Sequence, residues 1–275
     1  MANHAWYAVR SLAWREVIRF FRQRNRVAGA MGQPLLFWLL FSVGLNRSFQ
    51  LPGQDFGHYY LPGTLLLILL FTAIFATISI IEDRKEGFLQ AVLVAPVPRW
   101  APVLGKVLGG SVIALVQGLF FLTLALAFGE RISFIVALEA TLLMTIVAIG
   151  LTSLGFVIAW RLDSTQGFHA IMSLLLMPMW LLSGAFFPIP AVDAQATWGE
   201  TIMHYLMRCN PTSYAVAGLR RLLFDARIID QMLTTEQGLW LPALGSSVLV
   251  CIAFTVLMFG LACRVAARHT SGDLL

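Results

Sequence analysis

Six long apolar runs dominate this chain and restrict what it can fold into. They cover about residues 28–45, 59–81, 107–128, 134–160, 168–187 and 241–263. As a helix, each run is long enough to cross roughly 30 Å of hydrocarbon. Charged residues make up only 12% of the chain, about half the share in an average soluble domain. The sequence therefore predicts an all-α, polytopic membrane protein with six transmembrane helices in a single domain, residues 1–275, with no soluble domain.

The N-terminal segment 1–27 predicts a helix that lies along the cytoplasmic face of the membrane. An apolar stripe and an arginine stripe follow the helical period on opposite sides, as is typical of interfacial helices. The stripes are Trp6, Val9, Ala13, Val17 and Phe20, and Arg15, Arg19, Arg22 and Arg26. A basic tail that only sets the orientation is the alternative. No cleavage pattern follows the first apolar run, so we expect that run to persist as a span.

The distribution of Lys and Arg predicts that both termini are cytoplasmic. Basic residues cluster before the first run, between the second and third, and after the fourth and sixth, whereas the two short intervening connections carry only Arg47 and Arg131. The net charge of +5 thus indicates topology and contact with anionic lipid, not nucleic acid. The connection 188–240 carries several arginines yet is expected outside, because long loops translocate with less regard to charge.

Two apolar pieces of that outer connection, 202–207 and 214–224, are too short to cross a membrane. We expect them to form short re-entrant helices or to pack on the outer side of the bundle. Prolines at Pro188, Pro190 and Pro211 separate them.

The chain shows no energy source of its own. Ion-driven carriers usually need ionisable groups within their spans, and here Glu139 is the exception in otherwise uncharged runs. Gly105-Lys106 does not complete a phosphate-binding loop, since Trp100 and Val107 occupy positions that need Gly and Ser or Thr. Uphill transport would therefore require a partner that supplies the work.

The segment 82–106 is a candidate place for such a partner to act. It begins with charges, continues with Phe88, Leu89, Val92 and Leu93 at helical spacing, and is stopped by Pro96 and Pro98. A stiff helix between two spans can transmit a displacement to both. An amphipathic loop resting on lipid is the alternative.

No residues form a convincing catalytic or metal constellation. The five histidines are scattered, Ser153 lacks the spacing of a nucleophile elbow, and Cys209, Cys251 and Cys263 show no metal spacing. Gly105 and Gly109 predict close helix packing. Phe71 and Phe75 are compatible with a path for an amphiphilic solute or with plain packing.

Three motifs in order resemble the membrane subunit of ABC-2-type exporters, the group with drug-resistance and nodulation-factor export permeases. The first comprises Glu82, Arg84-Lys85-Glu86-Gly87, Pro96-Val97-Pro98-Arg99 and Gly105-Lys106. The second is residues 182–188, Leu-Ser-Gly-Ala-Phe-Phe-Pro, and the third is Asn210-Pro211-Thr212-Ser213-Tyr214 followed by Ala217 and Arg220. Phe88 and Gln90 depart from the Thr and Glu that the family often has.

The resemblance implies a permease that pairs with a second copy, or a close relative, and with two cytoplasmic ABC ATPase subunits that bind ATP and Mg²⁺. This chain itself would hold no cofactor. The ATPase-coupling residues would be Glu82, Arg84, Glu86, Gly87, Phe88, Leu89, Pro96, Arg99 and Lys106. Asn210, Pro211, Tyr214 and Arg220 would belong to an outer gate, with Arg220 facing a carboxylate or a lipid headgroup.

The expected function is outward transport of an amphiphilic or hydrophobic solute such as a drug, lipid or glycan across the cell membrane, by a transport subunit rather than an enzyme. An ion-coupled carrier or channel stays open, as does a membrane-embedded enzyme or assembly factor.

Overall fold

The computed structural model describes residues 2–45, 56–130, 132–186, 189, 197–234 and 240–267, and all regular secondary structure within them is helical. The prediction of an all-α chain is thus confirmed. The helices are α1 (Ala2–Arg22), α2 (Arg24–Leu45), α3 (Phe56–Ala76), α4 (Ile78–Lys85), α5 (Phe88–Val94), α6 (Trp100–Ala127), α7 (Phe134–Ala159), α8 (Thr165–Leu181), α9 (Trp198–Cys209), α10 (Pro211–Leu223), α11 (Ala226–Thr234) and α12 (Leu244–Ala267).

Five helical stretches in the described residues are long and apolar enough to cross a membrane: Val27–Gly44, Phe56–Lys85, Trp100–Ala127, Phe134–Ala159 and Leu244–Ala267. They account for five of the six predicted spans. The sixth, 168–187, falls on α8, which has 17 residues and a length of about 25 Å. The expected count of six is therefore not confirmed.

Helix α3 forms the centre of the bundle. It packs against α2, α6, α7, α8 and α10, and its residues from Tyr59 to Leu70 are buried. A helix surrounded in this way must be apolar on every side, which accounts for the uncharged second run of the sequence.

The N-terminal helix α1 packs on the protein more closely than an interfacial helix needs to. Glycines on α6 permit this approach, because a Cβ at Gly109 would lie 2.7 Å from the Glu16 Cβ and one at Gly105 would lie 2.9 Å from the Leu12 Cβ. The prediction that these glycines allow close packing is confirmed, and their partner is α1. Trp6, placed in the apolar stripe by its spacing, is instead 59% exposed.

The second membrane-length stretch is interrupted at Thr77, between α3 and α4. The Thr77 N–H and hydroxyl both donate to the Ile74 carbonyl, at 3.0 Å and 2.7 Å. This three-residue turn replaces one step of the α-helical pattern. Gly155 of α7 faces it, since a Cβ there would lie 2.8 Å from the Thr77 hydroxyl oxygen.

Candidate functional site

The stiff helix expected within the segment 82–106 is in fact two short helices, α4 and α5, joined by a turn. α4 ends at Lys85, and Gly87 takes a φ of +76° before α5 begins at Phe88. This left-handed conformation favours glycine, so Gly87 fixes the angle between the two helices. Pro96 and Pro98 lie between α5 and α6, where they prevent a continuous helix.

A buried carboxylate, Asp83, joins α4 to α1 and α6. Arg15 donates to both of its oxygens, at 2.8 Å and 3.0 Å, and Arg19 donates to Oδ1 at 2.8 Å. The Lys106 ammonium of α6 also bonds Asp83, and it donates to Glu16 Oε1 at 2.6 Å. Three helices that are distant in sequence are thus connected through one acidic side chain.

Further carboxylates extend this cluster toward the surface. Arg19 Nη2 lies 3.0 Å from Glu82 Oε2 and 3.3 Å from Glu86 Oε1. The Arg15 guanidinium stacks 3.8 Å above the Phe88 ring centroid, a cation–π contact, and its hydrogen bond to Asp83 raises the pKa of Arg15. We call Arg15, Glu16, Arg19, Glu82, Asp83, Glu86 and Lys106 the ion cluster.

Neither Asp83 nor Glu16 was predicted as a site residue. Arg15 and Arg19 were expected in a stripe opposite the apolar one, and their spacing of four residues matches that of Glu82 and Glu86. Matching charges at helical spacing on two helices was the available signal.

Three of the predicted ATPase-coupling residues point into the protein in this structure: Arg84, Leu89 and Lys106. Arg84 donates to the carbonyls of Trp160 and Leu162, at 2.6 Å and 3.2 Å. Leu89 is 5% exposed and Lys106 is 8% exposed. Phe88 is half-buried under Arg15, and Arg99 precedes the first turn of α6.

A different set of residues forms the outward face of this segment. Its members are exposed residues that precede α5, belong to it or follow it: Lys85, Glu86, Gln90, Ala91, Val94, Pro96 and Pro98. We call them the α5 face. Val94 alone is 78% exposed, so the face offers an apolar centre with charges at one end.

At the opposite end of the bundle, Asn210 and Pro211 shape the turn between α9 and α10. The Asn210 side chain accepts a hydrogen bond from the Thr212 N–H at 3.1 Å and donates to the Met179 carbonyl at 2.6 Å. Pro211 is the first residue of α10, where its missing N–H has no cost. The turn thereby satisfies a carbonyl near the C-terminus of α8.

Arg220 and Tyr214 contact protein groups in the same region. Arg220 is 6% exposed, its Nη2 donates to the Gly184 carbonyl at 3.1 Å, and its guanidinium lies 4.3 Å from the Tyr59 ring centroid. The expectation of a carboxylate or headgroup partner was therefore wrong. Tyr214 meets the Trp240 ring edge-on, with centroids 5.4 Å apart.

A cavity of about 520 Å³ opens between α2, α3, α4 and α8. Its lining is mostly apolar and aromatic, with polar side chains at Gln23, Gln33, Thr72, Glu82 and His169. The other lining residues are Phe20, Gly29, Ala30, Pro34, Leu67, Phe71, Phe75 and Ile78. Phe71 and Phe75 thus border an open space, as a solute path requires.

Among the described residues, no group of three or more His, Cys, Asp or Glu side chains has the geometry to hold a metal ion. The Ser153 hydroxyl donates to the Ile149 carbonyl of its own helix at 2.7 Å. This contact ties the serine to ordinary helix packing.

Comparison with known proteins identifies the family. The family model described as "ABC-2 type transporter" matches residues 7–224. The chain belongs to this family. It is a membrane transport permease, and the match covers both the ion cluster and the turn at Asn210.

Two relatives illustrate the range of similarity. A protein named transport permease ycf38, from Cyanophora paradoxa, is 22% identical over 253 residues, which are 88% of this chain and 84% of that protein. A protein named multidrug ABC transporter permease YbhR, from Escherichia coli strain K12, is 30% identical over 168 residues, which are 58% of this chain and 44% of that protein. The second match therefore spans less than half of the relative.

Proposed function

We propose that this permease is the membrane subunit of an ATP-driven exporter that moves an amphiphilic or hydrophobic solute outward across the cell membrane. Family membership and the name of the relative YbhR support this function. A separate ATPase subunit binds ATP and Mg²⁺ and supplies the work. In the complete transporter, two permease copies and two ATPase copies assemble.

The observation that carries this proposal is the contact between the segment that bears the α5 face and the ion cluster. Removing one partner from a buried ion pair leaves an uncompensated charge, which typically costs about 3–5 kcal/mol. Asp83, Arg15 and Lys106 are therefore expected to keep α4, α1 and α6 together when α5 is pushed. A displacement of the α5 face then reaches two membrane-length stretches at once, and the turn at Thr77 provides a place where α3 and α4 bend.

Side-chain contacts along α3 support a proposed topology of six crossings. α8 has Phe168 beside Phe75, with ring centroids 6.2 Å apart, near one end of α3, and its Trp180 donates to the Gly63 carbonyl at 3.1 Å near the other. α8 thus covers most of the length of α3 and serves as the sixth crossing. Six crossings put both termini on the same side, and the distribution of Lys and Arg supports the cytoplasm as that side. In this topology α9 and α10 form a re-entrant hairpin on the outer side that acts as the gate.

A positive charge introduced on the α5 face tests whether the ATPase subunit docks there. Ala91→Arg and Val94→Arg place a cation at its apolar centre, and Gln166→Arg adds the same charge at an exposed position near the start of α8. In complexes purified from the native cell, the first two changes should remove most ATP hydrolysis and ATPase protein. Gln166→Arg should retain both, and equal retention by all three variants contradicts the proposal.

An ion-coupled carrier is the second candidate, since Glu139 lies within a membrane-length stretch. Transport measured in proteoliposomes distinguishes the ATP-driven exporter from the ion-coupled carrier. The proposal requires uptake into inside-out vesicles that needs ATP and the partner subunit. Uptake by this chain alone, driven by an ion gradient, identifies the carrier instead.

A further inference from the structure

We propose that the cavity between α2, α3, α4 and α8 binds cationic amphiphiles, with the positive group near Glu82 and the apolar body against Phe71 and Phe75. This inference deepens the proposed function by naming a substrate class, and it rests on that function only for the direction of transport.

The cavity is long enough for an amphiphile, and the carboxylate in its lining lies at one end. Leu67 and Glu82, both in its lining, are fifteen residues apart along α3 and α4, which corresponds to about 22 Å of helix. Leu67 lies within the buried part of α3, whereas Glu82 lies beside the ion cluster. A bound molecule would therefore place its apolar part deep in the bundle and its polar part at the cytoplasmic end.

Flat rings form the apolar wall. Phe71 and Phe75 have centroids 6.0 Å apart, and the His169 ring lies 5.2 Å from Phe75 at an interplanar angle of 32°. Ring faces carry negative electrostatic potential and attract organic cations. The wall thus favours aromatic and positively charged ligands over anions.

The charged residues at the cytoplasmic end of the cavity also favour a cationic ligand. The ion cluster contains three cations, Arg15, Arg19 and Lys106, and four carboxylates, Glu16, Glu82, Asp83 and Glu86. Most of the hydrogen bonds that these cations donate go to Asp83 and Glu16. Glu82 Oε2 is shielded from solvent, accepts no hydrogen bond from the described residues, and has Arg19 as an ion-pair neighbour at 3.0 Å.

This arrangement leaves Glu82 able to pair with a cationic ligand. Glu82 is the carboxylate of the ion cluster in the cavity lining, and its Oε2 accepts no hydrogen bond from the described residues. An incoming cation would pair with an oxygen that is shielded from water, where charge pairing is stronger than in solution. An anion would meet the same carboxylate as repulsion.

Two probes of nearly equal shape and opposite charge test the proposal. The full chain is placed in phosphatidylcholine nanodiscs, and binding of tetraphenylphosphonium and tetraphenylborate is measured by equilibrium dialysis, with empty nanodiscs subtracted. Glu82→Gln removes the charge with little change in shape. Asp163→Asn is the matched control, because Asp163 is 94% exposed in its side chain and lies outside the cavity.

Glu82→Gln should weaken tetraphenylphosphonium binding about tenfold and leave tetraphenylborate binding unchanged or stronger. Asp163→Asn should change neither. Phe75→Ala should weaken the binding of the cation by removing a ring face. Equal effects of Glu82→Gln on both probes, or no saturable binding of the cation to the unmodified chain, would overturn the proposal.

A gain of binding provides a second test that a folding defect cannot imitate. Gln33 lies on the α2 side of the cavity and is exposed. Gln33→Glu should strengthen tetraphenylphosphonium binding, and an unchanged affinity would count against a charge-selective cavity. These measurements need no ATPase, so ATP-driven export of another solute without cation binding would reject the substrate class and retain the proposed function.

Discussion

At the scale of single residues, the main constraint on this molecule is the carboxylate of Asp83. Its side chain is fully buried, and burying an isolated charge is too costly for a folded protein. Arg15, Arg19 and Lys106 together compensate it. Three cations around one acid at the end of a membrane-length stretch are therefore a requirement of folding as well as a mechanical link.

Replacing Lys106 tests this requirement. Lys106→Met should lower the thermal unfolding temperature in detergent strongly, because Asp83 and Glu16 lose a shared partner and such a loss costs about 3–5 kcal/mol. Lys85→Met is the control, since Lys85 is exposed on the same segment. The double variant Lys106→Met with Asp83→Asn should lose less stability than the sum of the two single changes, because the two residues share one contact; an additive or larger loss contradicts the cluster.

A second polar pair joins α3 to α6 inside the bundle. The Thr72 hydroxyl donates to Gln117 Oε1 at 2.5 Å, and Gln117 is 1% exposed. Thr72→Val should destabilise the chain by about 1 kcal/mol, whereas Thr72→Val combined with Gln117→Leu should cost less than the sum of the single changes. Unfolding measured for the complete double-mutant cycle checks this; strict additivity would show that the pair contributes nothing.

At the scale of elements, the apolar runs predicted most of the fold, because length and hydropathy alone locate a membrane helix. The position of α1 was harder to predict. Its spacing indicated an apolar stripe in which Val9 and Phe20 are indeed buried and Trp6 is exposed. The stripe omitted Leu12, which is buried where α1 approaches Gly105 of α6. A helix that packs on protein and lipid at once has apolar residues on two faces, so its stripe does not identify which face is buried.

The segment 82–106 shows the same limit. The side chains expected to point outward there include Arg84 and Leu89, which point inward. The reason is the left-handed turn at Gly87, which separates α4 from α5 and breaks the helical period. Spacing counted through such a turn assigns residues to the wrong face.

A bulky residue at Gly109 tests the contact between α1 and α6. Gly109→Val should push α1 away, because its Cβ would lie 3.0 Å from the Ala13 carbonyl oxygen as well as close to Glu16. The N-terminal segment should then be cleaved faster by added protease, and the thermal unfolding temperature should fall. Gly260→Val is the matched control, since no atom lies within 4 Å of a Cβ at Gly260; equal behaviour of the two variants would disprove the close approach.

At the scale of the whole molecule, contacts between distant elements define one end of the bundle. Arg84 bonds the Trp160 carbonyl at the end of α7, and Ala266 near the end of α12 borders the same small cleft as Leu89 of α5. α7 and α12 therefore both end beside α5. The proposed topology requires one return to the other end between them, and in the described residues α8 is the helix that follows α3 along that distance.

Cysteine labelling tests this topology. In a chain with Cys209, Cys251 and Cys263 replaced by Ser, single cysteines are introduced at the exposed positions Ala91, Gln166, Gly199 and Gly245. A membrane-impermeant maleimide should label positions 91 and 166 in inside-out vesicles and positions 199 and 245 in right-side-out vesicles. Because α8 connects Gln166 to the outer hairpin, labelling of 166 and 199 from the same side would show that α8 does not cross and that five crossings, with the termini on opposite sides, describe the protein.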